Sequence, residues 1–206
     1  PAECDVSIRP GWFWHERENS KVKSARELMD LYYKSVGRGA SFLLNVPPDR
    51  RGLLHEADIQ SLREFGKLRR AVFRRNLAAS AKVAASNVRG KADAFQPQNL
   101  FDGTRTSYWA TDDEVLAGEV VFEFAAPVTF NVVRLREAIR LGQRIDSFAL
   151  DVWNDGGWKP FAEATSIGSC RLIRTASPLT TIRVRLRITK ASASPALSDF
   201  GLFLDA

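Results

Sequence analysis

The chain predicts two architectures in tandem, an α/β segment over residues 1–75 followed by an all-β antiparallel sandwich over residues 76–206. Three observations carry this. Residues 24–73 read as helix, apolar strand, helix, which is half of a parallel α/β repeat. From Asn76 onward the helical period disappears and short alternating segments follow one another between turn residues. The charge also changes at that point, with 15 Lys and Arg against 10 Asp and Glu up to Asn76, and 15 against 14 after it.

The first helix is expected over residues 24–36. Ser24 and Glu27 have the spacing of a capping box, in which each side chain satisfies an orphan amide of the first turn. Ala25, Leu28, Met29, Tyr32 and Val36 recur at helical spacing, and Gly37 is placed to stop the helix. Ser41 to Val46 is an almost wholly apolar run, as a strand buried on both faces requires. Pro47 and Pro48 end it, because neither donates to a ladder. A second helix is expected over 56–73, with Leu62, Phe65, Leu68 and Val72 on one side and Arg63, Lys67 and Arg70 on the other. Such a unit has an edge strand and uncovered helix faces, so it needs neighbours to be stable.

In the second half, Val120–Phe124, Asn131–Leu135, Ser147–Trp153, Gly157–Phe161 and Thr181–Ile188 all alternate. In the last of these, Ile182, Val184, Leu186 and Ile188 are expected inward and Arg183, Arg185 and Arg187 outward. Asn154-Asp-Gly-Gly157 reads as a hairpin turn. Trp109 and Trp153 are expected in the core.

Composition narrows the function. The net charge is +6, but the excess gathers in Lys67, Arg69, Arg70, Arg74 and Arg75 at a helix end, where cations complement the macrodipole. A nucleic-acid face calls for a broad basic stripe with stacking aromatics, so no nucleic-acid partner is expected. No apolar run reaches the length of a membrane span. Cys4 and Cys170 fall in different segments and fit no metal motif, so buried free thiols are expected.

Glu3, Asp5, Arg9, Trp12, Trp14 and His15 gather two carboxylates, a cation and two indoles within thirteen residues. That mixture suits a sugar, since carboxylates accept from hydroxyls and an indole face packs on C–H groups. The plainer reading of the same residues has Arg9 paired with a carboxylate and the tryptophans in a core.

Two stretches, Ser7-Ile-Arg-Pro-Gly-Trp-Phe-Trp14 and Ser35-Val-Gly-Arg-Gly-Ala-Ser-Phe-Leu-Leu-Asn-Val-Pro-Pro-Asp49, resemble the closing quarter of the α-L-fucosidases of glycoside hydrolase family 29. The family commonly has Asn where this chain has Gly39. The resemblance implies that residues 1–75 are the last strand and helices of a (β/α)8 barrel, a fold of about 250 residues. Most of the active site would then lie outside this chain. It places Pro1 to His15 between the seventh strand and its helix, at the active-site face, and Asn45 at the barrel mouth. Glu3, Asp5, Arg9, Trp12 and Asn45 become substrate-binding candidates. The nucleophilic aspartate is expected upstream, so Glu3 or Asp5 would bind the leaving sugar or assist the acid/base. For Asn45, capping of the Pro-Pro turn and sugar contact both stand.

Gln98-Asn-Leu-Phe-Asp-Gly-Thr-Arg-Thr-Ser-Tyr-Trp109 resembles the opening of a discoidin, or coagulation factor 5/8 type C, module of the galactose-binding-like, jelly-roll fold. The resemblance implies a structural calcium held by Asp102, Thr104 and Asp199, with a metal-free Asx-turn as the other reading. Relatives of such modules bind galactose-type sugars at loop tips, where Tyr108, Trp153, Trp158, Arg140 and Arg144 are available here. The function implied is the C-terminal part of a retaining α-L-fucosidase, secreted or periplasmic. It would act on α-1,3/1,4-linked fucose of glycans, in partnership with the rest of the barrel and with no catalytic cofactor. A stand-alone carbohydrate-binding module and an adhesion module are the alternatives.

Overall fold

The structure is a computed structural model that describes residues 2–205. The chain divides into two compact units, residues 1–74 and 75–206.

In the first unit, strands β1 (Glu3–Ser7) and β2 (Ser41–Asn45) pair in parallel, with Glu3 opposite Ser41 and Ser7 opposite Asn45. The expected loop therefore begins as a strand. Glu-Cys-Asp-Val-Ser alternates polar with apolar, the period of a half-exposed strand. Its partner β2 is not buried on both faces within this chain, since Leu43 is 50 % exposed. Helix α1 (Ala25–Lys34) opens with the expected capping box: the Glu27 amide donates to Ser24 Oγ at 3.3 Å and the Ser24 amide to the Glu27 carboxylate at 2.8 Å. It ends earlier than the spacing predicts. A 3₁₀ turn over Val36–Arg38 follows, and Gly39, not Gly37, takes the left-handed conformation with φ +82°. Glycine and asparagine are the residues that adopt this conformation most readily, so Gly39 suits the turn.

Helix α2 (Glu56–Phe73) matches its expected bounds. His55 caps it, with Nδ1 accepting from the Ala57 amide at 3.2 Å. Leu28, Met29 and Tyr33 of α1 and Val72 of α2 are buried, and Tyr32 packs its ring on Phe65 and Phe73.

The second unit is antiparallel throughout. Its strands are β3 (Lys82–Ala85), β4 (Trp109–Ala110), β5 (Gly118–Glu137), β6 (Ile145–Asn154), β7 (Gly157–Thr165), β8 (Arg171–Ala191) and β9 (Ala196–Phe203), in the order β4-β9-β5-β8-β6-β7 with β3 on β5. Two segments that read as separate short strands, Val120–Phe124 and Asn131–Leu135, are halves of one strand. Register shifts interrupt β5 between Glu123 and Val128 and between Phe130 and Val132. Pro127 lies in the first interruption, where a missing ladder donor is tolerated. The irregularities let one strand serve two layers: the first half of β5 pairs with β3 and the second with β9.

Between the layers lie Trp109, Phe122, Phe130, Phe148, Val184, Leu186 and Phe200. The rings of Phe122 and Phe200 stack at 3.8 Å, a pairing worth about 1 kcal/mol beyond its buried area. The turn after β6 has positive φ at both Asp155 and Gly156, the geometry of a two-residue hairpin loop.

The alternation of β8 holds for Val184, Leu186 and Ile188 but fails for Ile182, which is 40 % exposed. There the Thr181 hydroxyl donates to the Trp153 carbonyl at 2.7 Å and accepts from the Arg183 amide, so the strand is irregular at that point. Trp153 likewise lies outside the core. It meets Trp158 edge-on at 5.3 Å, and guanidinium groups cover both rings, Arg183 over Trp153 and Arg185 over Trp158. Cys4 and Cys170 are free thiols; Cys170 is buried as expected, which pushes its thiol up, whereas Cys4 is only partly buried.

Beside these indoles, Asp151 is 1 % exposed and accepts from Arg185 Nε at 2.8 Å and from Arg187 Nε at 2.7 Å. Burial alone would raise its pKa, but the hydrogen bonds from Arg187 and Arg185 win and hold it below the ordinary 3.8. Its contribution to stability is therefore present above pH 3.8 and is lost as the pH falls through the lower folded-state value. Denaturant unfolding of the wild type and Asp151→Asn across pH should show a stability gap that is full above pH 4 to 5, begins to narrow about where a free carboxylate titrates, and closes only below the lowered folded-state value.

Candidate functional site

The C-terminal ends of β1 and β2 lie side by side, since Ser7 is opposite Asn45. The Ile8 amide continues the ladder to the Asn45 carbonyl at 2.9 Å, and the chain then leaves as a loop through Trp14. Side chains hold that loop. Asn45 Nδ2 donates to the Trp12 carbonyl at 2.9 Å and to Ser7 Oγ at 3.2 Å, while Ser7 Oγ donates to the Gly11 carbonyl at 2.7 Å. Lys23 Nζ reaches the Ser7 carbonyl at 2.7 Å. Trp12 is left 51 % exposed, with Phe13 more so.

Arg9 is the anchor of this loop. It is buried, and its Nε and Nη2 fork onto the buried carboxylate of Asp58 in α2 at 3.1 and 2.8 Å. Nη1 donates to Asn19 Oδ1 at 3.0 Å and to the His15 carbonyl at 3.4 Å. This corrects the substrate-binding expectation for Arg9, whose guanidinium is turned inward and satisfied by the protein. Asn45 is partly exposed, and its amide ties down the Trp12 loop rather than capping the Pro-Pro turn.

Glu3 and Asp5 differ. They lie on one face of β1, next to Ser41 and Leu43 of the paired strand, and all four are exposed. Among the described residues neither carboxylate has an ion-pair partner. The structure thus offers one face with two open carboxylates and an apolar Leu43, with the exposed Trp12 on the loop that leaves the end of the strand. An acceptor pair beside apolar surface is what a sugar ring with hydroxyl and C–H edges requires.

Next to the loop, Trp14, Asn19, Asp49, Arg51 and His55 line a hollow of about 300 Å³. Arg51 bridges Asp49 at 2.6 Å and Glu56 at 2.9 Å. The Arg51 hydrogen bond holds the Asp49 carboxyl below the usual range, and Glu56 is lowered by the same guanidinium.

The expected calcium ligands are each engaged by other protein groups. Asp102 accepts from the Thr104 amide at 2.8 Å and from the Ser107 hydroxyl, and Thr104 Oγ1 bonds Ser107 Oγ at 2.6 Å. That is the Asx-turn alternative, closed by Gly103 at φ +76°. Asp199 is held in β9 by Arg134 at 2.6 Å, with Arg136 at 3.9 Å. Two guanidinium groups on the carboxylate oppose a cation. Among the described residues no cluster of three or more His, Cys, Asp and Glu gathers for a metal. The residues present therefore do not fit the ion.

The loop-tip candidates are similarly engaged. Arg140 donates to the Thr106 carbonyl at 2.5 Å and lies over the Tyr108 ring, and Arg144 binds the Ser194 carbonyl at 3.0 Å.

Sequence reasoning missed Asp58, Asn76 and Glu137. Glu137 is buried and accepts from the amides of Arg144, Ile145 and Gly168 at 2.7, 3.0 and 2.6 Å. Its signal was present, since alternation from Val133 and Leu135 points position 137 inward. Asp58 gave none, because its partner lies 49 residues away.

The F5/8 type C domain model matches residues 82–199. The chain belongs to the F5/8 type C domain family. Ahead of that domain, the α-L-fucosidase model matches residues 1–71. The chain is 42 % identical over 208 residues to α-L-fucosidase 1 of Arabidopsis thaliana, aligning along its whole length with 41 % of that protein. A Ruminococcus gnavus family 29 fucosidase, solved in complex with fucose, superposes at TM-score 0.93 and 35 % identity, over 99 % of this chain and 41 % of that one. These relatives cover the chain as their C-terminal part, and it spans about two-fifths of their length. A chitosan-binding module from Paenibacillus sp. IK-5, 24 % identical at TM-score 0.50, covers 62 % of the chain and shares the fold alone.

Chelation tests the metal conclusion. EDTA should leave the thermal midpoint of the chain unchanged, and added calcium should not raise it; a midpoint that falls on chelation and returns with calcium would show an ion that these side chains do not explain.

Proposed function

We propose that this chain is the C-terminal part of a retaining α-L-fucosidase that releases terminal α-linked fucose from glycans. The likeness of both units to a fucosidase that holds fucose carries this reading. A retaining enzyme uses two carboxyl groups about 5–5.5 Å apart. One attacks the anomeric carbon and expels the aglycone, which the other protonates; the second then draws a proton from water as the glycosyl-enzyme is hydrolysed. In this proposal the nucleophile comes from barrel residues upstream of the chain.

The chain's own residues would bind and position. Glu3 and Asp5 accept hydroxyl groups of the leaving sugar or support the acid/base, and Trp12 packs its indole on the sugar's apolar edge. Arg9, Asp58 and Asn45 hold the Trp12 loop in place. The sandwich contributes structure, since a guanidinium already lies over one face of each of Trp153 and Trp158. We further propose action on α-1,3/1,4-linked fucose outside the cytoplasm, in the periplasm or beyond the cell.

The 206-residue chain alone should leave an aryl α-L-fucoside intact, while the same chain joined to a complete barrel should hydrolyse it with α-fucose as the first product. In that protein Trp12→Ala should raise KM about tenfold, the scale of one lost aromatic contact. Absence of fucose release by the complete protein would refute the reading.

A further inference from the structure

Nearly every arginine in the second unit faces a carboxylate or a carbonyl, whereas the end of α2 is different. Lys67, Arg70 and Arg74 follow one another at spacings of three and four, so they lie on one helix face. With Arg69, Ala71 and Phe73 they line a hollow of about 600 Å³. All four cations are exposed, and among the described residues none forms an ion pair. No carboxylate lines the hollow. A helix C-terminus favours cations, which accounts for their sign. It does not account for four of them around one concavity that no carboxylate lines, where like charges repel.

We propose that this hollow is a binding site for a sulfated polysaccharide. Guanidinium groups fork onto oxyanions with two parallel hydrogen bonds, and the cations are spaced about 5–6 Å apart along the face, within reach of successive charged groups on a chain. The remaining lining residues, Ala71 and Phe73, carry no charge. A nucleic acid fits less well. The ring of Phe73 already packs on Tyr32, so no aromatic is open for base stacking. The positive run is also short: from Lys67 to Arg74 it covers about 10 Å. Toward the helix N-terminus the next hollow is lined by Glu56 and Glu64 as well as Arg63 and Lys67, and their carboxylates end the anion-attracting surface. The site does not involve Glu3, Asp5 or Trp12, so it goes beyond the fucosidase reading and does not depend on it.

The test uses the full chain at low ionic strength, with dextran sulfate as probe and unsulfated dextran as its neutral counterpart, followed by calorimetric titration. Dextran sulfate should bind and dextran should not, with affinity falling steeply as salt rises. Arg70→Gln/Arg74→Gln and Lys67→Gln/Arg70→Gln, substitutions on an exposed face, should each weaken binding about tenfold or more, as loss of two phosphate-like contacts does. The control Arg105→Gln/Lys190→Gln removes the same charge elsewhere and should stay within about twofold. Equal losses in control and groove variants would mean bulk charge alone, and would overturn the proposal. So would tighter binding of a DNA duplex of matched charge, or no binding of dextran sulfate. Hydrolysis of an aryl fucoside by the barrel-joined protein should be unchanged in the groove variants, which separates the two readings.

Discussion

A guanidinium and a carboxylate withdrawn from water fix the shape of the first unit. Removing both Arg9 and Asp58 from solvent is costly unless every donor and acceptor finds a partner. Here the fork between them, the Asn19 side chain and the His15 carbonyl take up the guanidinium. The pair joins the loop after β1 to α2, two segments that local propensity cannot connect. Once Arg9 is fixed, Ser7 and Asn45 can hold the backbone at Gly11 and Trp12. The exposed face of Glu3, Asp5 and Leu43 and the loop that carries Trp12 then have a rigid support, which a binding site requires.

The second unit uses the same device with different residues. Glu137 gathers three amides, and Asn76 accepts from Ala78 and Leu202 while donating to the Phe200 carbonyl. Asp151 gathers two arginines on the outer face. Glu137 and Asp151 are buried and Asn76 partly so, each has its partners in place, and each fixes where a bent strand or a loop must go. The two indoles that invited a sugar-binding role belong to this arrangement. An indole face covered by a guanidinium is not open to a sugar.

Local chemistry was legible in the sequence wherever one element decides the outcome. The bounds of α2, the Ser24–Glu27 box and the Asn154–Gly157 turn follow from spacing and turn residues alone. Interactions between distant segments were not legible. Arg9 stood among sugar-binding residues by composition, and only the fold brings Asp58 to it. Asp199 occupies an expected ligand position, but Arg134 and Arg136 on the neighbouring strand claim it. The strand at Glu3–Ser7 is too short for periodicity to stand out, and the bends in β5 made one strand read as two.

The most direct measurement of this account is a double-mutant cycle on the buried pair, using Arg9→Met and Asp58→Leu with denaturant unfolding as the readout. Each single substitution strands a buried charge and should cost about 3–5 kcal/mol, while the double substitution should cost much less than their sum. Strictly additive losses would contradict it, because the two groups would then not depend on each other and the loop would be held by something else.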